Sequence, residues 1–320
     1  MSEQLSALGW HSAAYNYFPS YLNYRNRSIE TDVYQLHKLF DHAAQIFDIF
    51  HFHNGLTFFS DFRDLPKLRD LGNKIVMHHR GNDVRFARKA ARGNGYVNPY
   101  VYAGNSLPDA TIDRNLKYFA SYVDMVLVQD YELYHYVKDY YNRVHVLPRL
   151  IEPGRIPLRL PLANKQVPLV VHAPTDRLFK GSDSIMHIVR ELQRKYRFEF
   201  VLIENMSHDM ALRYMYQADI VIDQILCGAY GNVSVEAMAA GKPVIAYIRP
   251  DLVSTYPRGL PIASANPDTL KKVLLPLLLD PDHRRQLGLK GRKYVEANHD
   301  ARKVTLQLIS LYRSMMASKS

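Results

Sequence analysis

Residues 219–247 constrain this chain more than any others. Asp219-Ile-Val-Ile-Asp223 is a short apolar run with β-branched side chains, the composition of a buried strand. A turn follows through Gly228 and Gly231. Ser234 to Ala240 then has helical composition, Gly241 ends it, and Pro243 to Tyr247 begins another strand. Strand, glycine turn, helix start and strand make the unit on which α/β folds bind phosphate. The N–H groups of a helix start have no partner within their own helix, and its dipole favours an anion. Gly231, Asn232, Val233 and Ser234 supply that start. Glu236, in the first turn, is placed to accept hydrogen bonds from ribose hydroxyls, as acidic residues do in other nucleotide sites. A crossover packed closely for its own sake would use the same small residues.

Glu236-Ala-Met-Ala-Ala-Gly-Lys-Pro-Val-Ile245 resembles the donor-site motif of family 4 retaining glycosyltransferases of the GT-B fold. In that family a first glutamate precedes the second by eight positions. Position 228 is glycine here, so the carboxylate often placed near the transferred sugar is absent. The resemblance implies two Rossmann-like, doubly wound α/β domains facing across a cleft. The family opens with a strand and a Gly-rich loop before a Leu-x-x-x-Gly-x-x-Ala turn. This sequence opens at the turn, Leu5 to Ala13, so the first strand of the N-terminal domain is expected to be missing.

A chain of 320 residues accommodates two domains. With 47% hydrophobic and 22% charged residues it reads as soluble and globular. No apolar run is long enough to span a bilayer, and Met1 to Ser6 has no secretory signature. The single cysteine, Cys227, excludes an internal disulfide and points to a reducing compartment. We expect a cytoplasmic protein, with peripheral attachment to the inner membrane face as a further option. A formal charge of +10 calls for an acidic partner: nucleotide phosphates, a phospholipid-linked acceptor, an anionic membrane face or nucleic acid. No nucleic-acid signature is present, and the basic residues are dispersed, so nucleic acid is not expected.

The first half alternates strands and helices, which implies a parallel sheet with ligands at the carboxyl ends of its strands. Strands are expected at 9–18, 47–53, 74–79, 123–128 and 144–147, and helices at 29–46 and 56–71. His51, His53, His78 and His79 all fall at strand ends. The resemblance matches the second pair to a His-x-x-Gly-x-Asp loop, here His79-Arg-Gly-Asn-Asp83. It implies that one of His78 and His79 faces the donor sugar, with His53 and Asp83 on the substrate side. Adjacent strand residues point to opposite faces, so one of the pair at most reaches the ligand. A metal centre is the competing use of four histidines. Without cysteine or carboxylate partners at matching spacing, no metal is expected, and no cofactor. Arg80, Arg85, Arg88, Lys89 and Arg92 form a basic cluster that reads either as a solvated helix face or as a patch for acceptor or membrane.

Leu147-Pro-Arg-Leu-Ile-Glu152 resembles the family's interdomain crossing. The expected organisation is an acceptor-side domain over 1–155, a donor domain over 156–300, and a final helix over 301–320 crossing back to the first domain. The donor domain is expected to hold strands at 167–172 and 198–203 and helices at 184–195, 208–216, 270–279 and 283–297. Arg177 and Lys180 resemble the family's paired cations on the donor diphosphate. Fixed positive charge there stabilises the negative charge that grows on a departing nucleoside diphosphate, with no metal. The neighbours of Glu204 are candidates for contacting the base. The resemblance thus implies a glycosyltransferase that moves a sugar, with retention, from a nucleotide-diphosphate sugar to a glycan, lipid-linked or cell-envelope acceptor. Gly228 and the missing strand fit a non-catalytic nucleotide-binding or partner-binding subunit as the alternative. A sugar-nucleotide epimerase would need carboxylate catalysts that are not evident.

Overall fold

The computed structural model describes residues 1–16, 29–90, 98–99, 106–204, 206 and 208–317. The chain divides into two units. The first takes in Met1–Lys89, Gly104–Pro148 and Ala301–Ser320, and the second Ala90–Ala103 and Arg149–Asp300. No helix among the described residues is long and apolar enough to cross a membrane.

In the first unit α1 (Ser2–Ala7) precedes two short paired strands, β1 (Tyr15–Asn16) and β2 (Ile29–Glu30). The strand expected over 9–18 is corrected over 9–14, which form none, and residues 17–18 lie outside the described residues. Helix α2 (Val33–Ile46) starts where the Asp32 carboxylate accepts from Gln35 N–H at 2.7 Å. Strand β3 (Ile49–His53), α3 (Asp64–Asp70), β4 (Lys74–His79), α4 (Ala87–Ala90), α5 (Asp109–Ala120), β5 (Met125–Val128), α6 (Tyr131–Val137) and β6 (Val144–Val146) follow, and α13 (Ala301–Ala317) closes the unit. The sheet runs β3-β4-β5-β6, all parallel.

Two faces of β3 carry different chemistry. Phe50 and Phe52 are buried and pack edge-on against Phe58, whereas His51 and His53 point the other way and are half-buried. Strand β4 is buried through its last five residues, which is why Ile75-Val-Met77 is apolar without alternation before the buried His78 and His79.

The second unit holds β7 (Leu169–His172), α7 (Arg177–Lys180), α8 (Ser182–Gln193), β8 (Glu199–Leu202), α9 (His208–Gln217), β9 (Ile220–Ile222), α10 (Asn232–Ala239), β10 (Val244–Ala246), β11 (Ile262–Ser264), α11 (Leu270–Leu279) and α12 (Pro281–Asn298). Its parallel sheet has the order β11-β10-β9-β7-β8. The chain moves outward from β7 to β8 and then returns to the other side of β7 through β9. The order therefore reverses between β7 and β9, and in sheets of this kind ligands bind outside the carboxyl ends at such a reversal. Helix α10 ends at Gly241, whose φ of +78° only glycine adopts without strain. Helix α12 lies so close there that a Cβ on Gly288 would stand 2.1 Å from the Gly241 carbonyl oxygen.

Candidate active site

Three features of the second unit meet at this reversal. Asp223 follows directly after β9, Lys180 ends α7, and α10 begins at Gly231. The Lys180 ammonium lies 2.7 Å from Asp223 Oδ1 and 2.9 Å from Gln224 Oε1. Asp223 Oδ2 accepts from the Gly231 N–H at 3.0 Å and from the Ser234 hydroxyl at 2.6 Å. Burial works against charge on Asp223. Lys180, Ser234 and the Gly231 N–H outweigh it and hold the carboxyl below its usual range. Asp223 thus caps a helix whose cap residue, glycine, has no side chain to do so. A Cβ on Gly231 would come within 3.0 Å of Asp223 Oδ2 and 3.3 Å of Lys180 Nζ. Glycine lets the backbone lie directly on this ion pair.

Lys180 is therefore not a free cation awaiting phosphate. It is buried and tied to a buried carboxylate, an arrangement that persists only when both partners are present. Arg177 differs: its side chain is 52% exposed and grips Glu204 bidentately, at 2.7 and 2.5 Å. An exposed pair of this kind exchanges partners at little cost. Of the two cations expected on the diphosphate, Lys180 is held within the fold by Asp223 and Gln224, and Arg177 is held by Glu204 at the surface. Glu204 spends its carboxylate on Arg177.

The first turn of α10 presents Asn232, which is exposed, and Val233, which is half-buried, while Ser234 is fully buried with its hydroxyl committed to Asp223. Glu236 is half-buried, and no side-chain hydrogen bond to it occurs among the described residues. Burial, then the nearby Asp223 charge, pushes its carboxyl up to about 7. Gly228 has a φ of +84°, and a Cβ there would stand 3.0 Å from Arg249 Cβ. The turn demands glycine, so the first family glutamate is excluded by backbone geometry as well as by sequence. Behind the site, His172 Nδ1 donates to the Ile222 carbonyl and Nε2 meets the Ser182 hydroxyl, both at 2.8 Å, tying β7 and β9 to the start of α8.

In the first unit the adjacent histidines separate as the strand alternation requires. His79 turns towards Phe119, with Nδ1 2.6 Å from Asp83 Oδ2 and Nε2 3.0 Å from the Tyr141 hydroxyl. Both its nitrogens are committed. The other oxygen of Asp83 accepts from Gly81 N–H at 3.0 Å, so this carboxylate organises its own loop. His78 takes the opposite face and pairs in register with His53. His51 Nε2 lies 3.3 Å from His78 Nδ1, and His51 Nδ1 lies 2.6 Å from the Tyr312 hydroxyl. Burial, followed by neighbouring charge, lowers His53 to about 3 and takes His51 and His78 well below the usual imidazole value.

The basic cluster is largely consumed by internal pairs. Arg85 is buried against Glu132 at 2.8 Å, Lys89 reaches Asp139 at 3.3 Å and Arg88 reaches Asp109 at 3.8 Å. Only Arg85 is thereby removed from the solvated face; Arg80 and Arg88 are exposed, Lys89 is half-buried, and Arg92 lies outside the described residues. The sequence reading missed Asp223 and Gln224 as site residues. An acid at the carboxyl end of a buried apolar strand was the available signal for Asp223.

Residues 187–294 match the family described as glycosyl transferases group 1. No curated protein sequence matches the chain. Among solved structures, sucrose-phosphate synthase (tll1590) from Thermosynechococcus elongatus superposes with a TM-score of 0.68 at 17% identity, covering 99% of this chain and 92% of the other. Trehalose-6-phosphate synthase, studied for glycosyl transfer with retention, gives 0.60 at 13% identity over 88% and 78%. Anabaena HepE in complex with UDP gives 0.59 at 13% identity over 87% and 82%. At these identities the likeness establishes the fold, which is GT-B, and the glycosyl transferases group 1 match over residues 187–294 of the second unit supports a glycosyltransferase.

Proposed function

We propose that the chain transfers a sugar, with retention, from a nucleoside-diphosphate sugar bound at the β7/β9 reversal of the second unit. The observation that carries this reading is the meeting of Lys180, Asp223 and the start of α10 at that reversal, with Glu236 on the same helix near the Asp223 charge. Glu236 accepts from the ribose hydroxyls, which supply the donors its carboxylate otherwise lacks. The N–H groups of Asn232 and Val233 face the diphosphate, and Arg177 exchanges Glu204 for a phosphate oxygen. Lys180 neutralises Asp223, so the helix start keeps its attraction for an anion despite the carboxylate already beneath it. Charge developing on the departing diphosphate is met by these groups without a divalent ion on the phosphates.

HepE binds UDP, which supports a nucleotide of that class for this chain. Retention is supported by the likeness to trehalose-6-phosphate synthase. The net charge of +10 favours an anionic glycan or lipid-linked acceptor. A thermal-shift panel of UDP-, GDP- and ADP-sugars, with and without Mg²⁺, tests the donor site. One nucleotide class should stabilise the protein equally in both conditions. Stabilisation by none, or only with Mg²⁺, overturns the assignment. Anomeric proton coupling in the transferred sugar then reads retention directly.

A further inference from the structure

We propose that His51, His53 and His78 of the first unit form a binding site for one divalent transition ion of the imidazole-preferring class, Zn²⁺ being the reference, with an open fourth position. One nitrogen from each ring lies within 4.8 Å of the others. His51 Nε2 and His78 Nδ1 are 3.3 Å apart. That separation is long for a hydrogen bond. It matches the edge of a tetrahedron, roughly 3.3–3.4 Å when metal–nitrogen bonds are about 2.0–2.1 Å.

An unpaired atom points the same way. His53 Nδ1 is buried with no hydrogen-bond partner among the described residues. Such groups ordinarily find partners in a folded protein. Ring stacking accounts for His51 and His53, whose centroids lie 4.6 Å apart at 13°, but it leaves that nitrogen unsatisfied. An ion held by His51 Nε2 and His78 Nδ1 would take its third lone pair from His53.

The support around the rings is of the kind metal ligands use. The Tyr312 hydroxyl lies 2.6 Å from His51 Nδ1; in the tautomer in which Nδ1 donates to it, Nε2 offers its lone pair to the ion. The three ligands stand on one face of two hydrogen-bonded strands, with His53 opposite His78, so the backbone pre-sets their spacing. Arg80 opposes a cation here and Asp83 favours one. A donor set of three imidazoles without carboxylate or thiolate suits Zn²⁺, Cu²⁺, Ni²⁺ or Fe²⁺ and is poor for Mg²⁺ or Ca²⁺. The fourth position, at the carboxyl ends of β3 and β4, would hold water or a substrate hydroxyl and make it more acidic.

The test uses the full chain, purified without a histidine tag and stripped by chelator, in equilibrium dialysis against Zn²⁺. Parallel titration with Co²⁺ follows the visible d–d bands of a low-coordinate site. We expect one equivalent bound and unaffected by excess Mg²⁺. His53→Ala and His78→Ala should each weaken binding more than about 100-fold, and Tyr312→Phe by about 10–100-fold, as loss of an outer partner does. His145→Ala, on β6 of the same unit, should bind as the parent does. Circular dichroism checks that each variant is folded, and His53→Asn provides a second substitution should the alanine variant unfold. Less than one-tenth of an equivalent bound, or equal binding by the parent and a folded His53 variant, overturns the proposal. Neither result bears on nucleotide binding, which is read separately in the second unit.

Discussion

Glu236→Gln isolates the least ordinary charge in the donor site. The Glu236 carboxyl stands at about 7 in the folded protein against a reference of 4.5, because burial and then Asp223 disfavour its ionised form. Between those pH values the folded state holds a proton that the unfolded chain has released, so stability falls as pH rises through that window. At 1.36 kcal/mol per pH unit the full penalty above pH 7 would be about 3 kcal/mol. The carboxyl is only half-buried, and solvent screening reduces this to about 1–2 kcal/mol. Glutamine has the same shape and no charge to desolvate. The difference in unfolding free energy between variant and parent, measured by urea denaturation, should be near zero at pH 4.5. By pH 8 it should grow to about 1–2 kcal/mol in favour of the variant. Taking the difference cancels every other titrating group. UDP binding should move the opposite way. The ratio of parent to variant affinity should rise with pH through about 7, as the carboxylate becomes the acceptor for ribose. A stability difference constant across pH 4.5–8 would refute the reasoning.

Three further outcomes follow from the same geometry. Lys180→Met should destabilise the protein by about 3–5 kcal/mol in urea, because it strands the buried Asp223 carboxylate. Arg177→Ala should leave the urea midpoint close to the parent's yet weaken UDP binding in a salt-dependent way, as expected of an exposed, exchangeable cation. Gly228→Glu, which restores the family carboxylate, should lower the thermal midpoint rather than raise the transfer rate, since φ of +84° strains an L side chain and its Cβ would stand 3.0 Å from Arg249 Cβ.

Much of this fold is written in local patterns. The apolar run at 75–77 and the strand–turn–helix at 219–247 are legible because burial and glycine punctuation are properties of neighbouring residues. Helices α5 and α6 were not read. The buried Glu132 of α6 looks solvent-directed until Arg85, distant in sequence, is seen to neutralise it. Strand β11, three residues long, is too short for any periodicity. The site divides likewise. Gly231 and Glu236 were legible as a helix start with a carboxylate, whereas the Lys180–Asp223 pair joins residues that only the sheet order brings together. The histidines show the same limit. Alternation places His51 and His53 on one face, but only the register of β3 against β4 adds His78 and dismisses His79.

The most direct measurement is isothermal titration of UDP into the full chain at pH 8, without divalent ions, for the parent and Glu236→Gln. One equivalent should bind the parent, with affinity lowered about tenfold or more in the variant, the loss expected when charge-assisted hydrogen bonds to a carboxylate are replaced by neutral ones. Equal affinity in the two proteins would contradict the claim that the second unit holds its nucleotide through the start of α10 and Glu236.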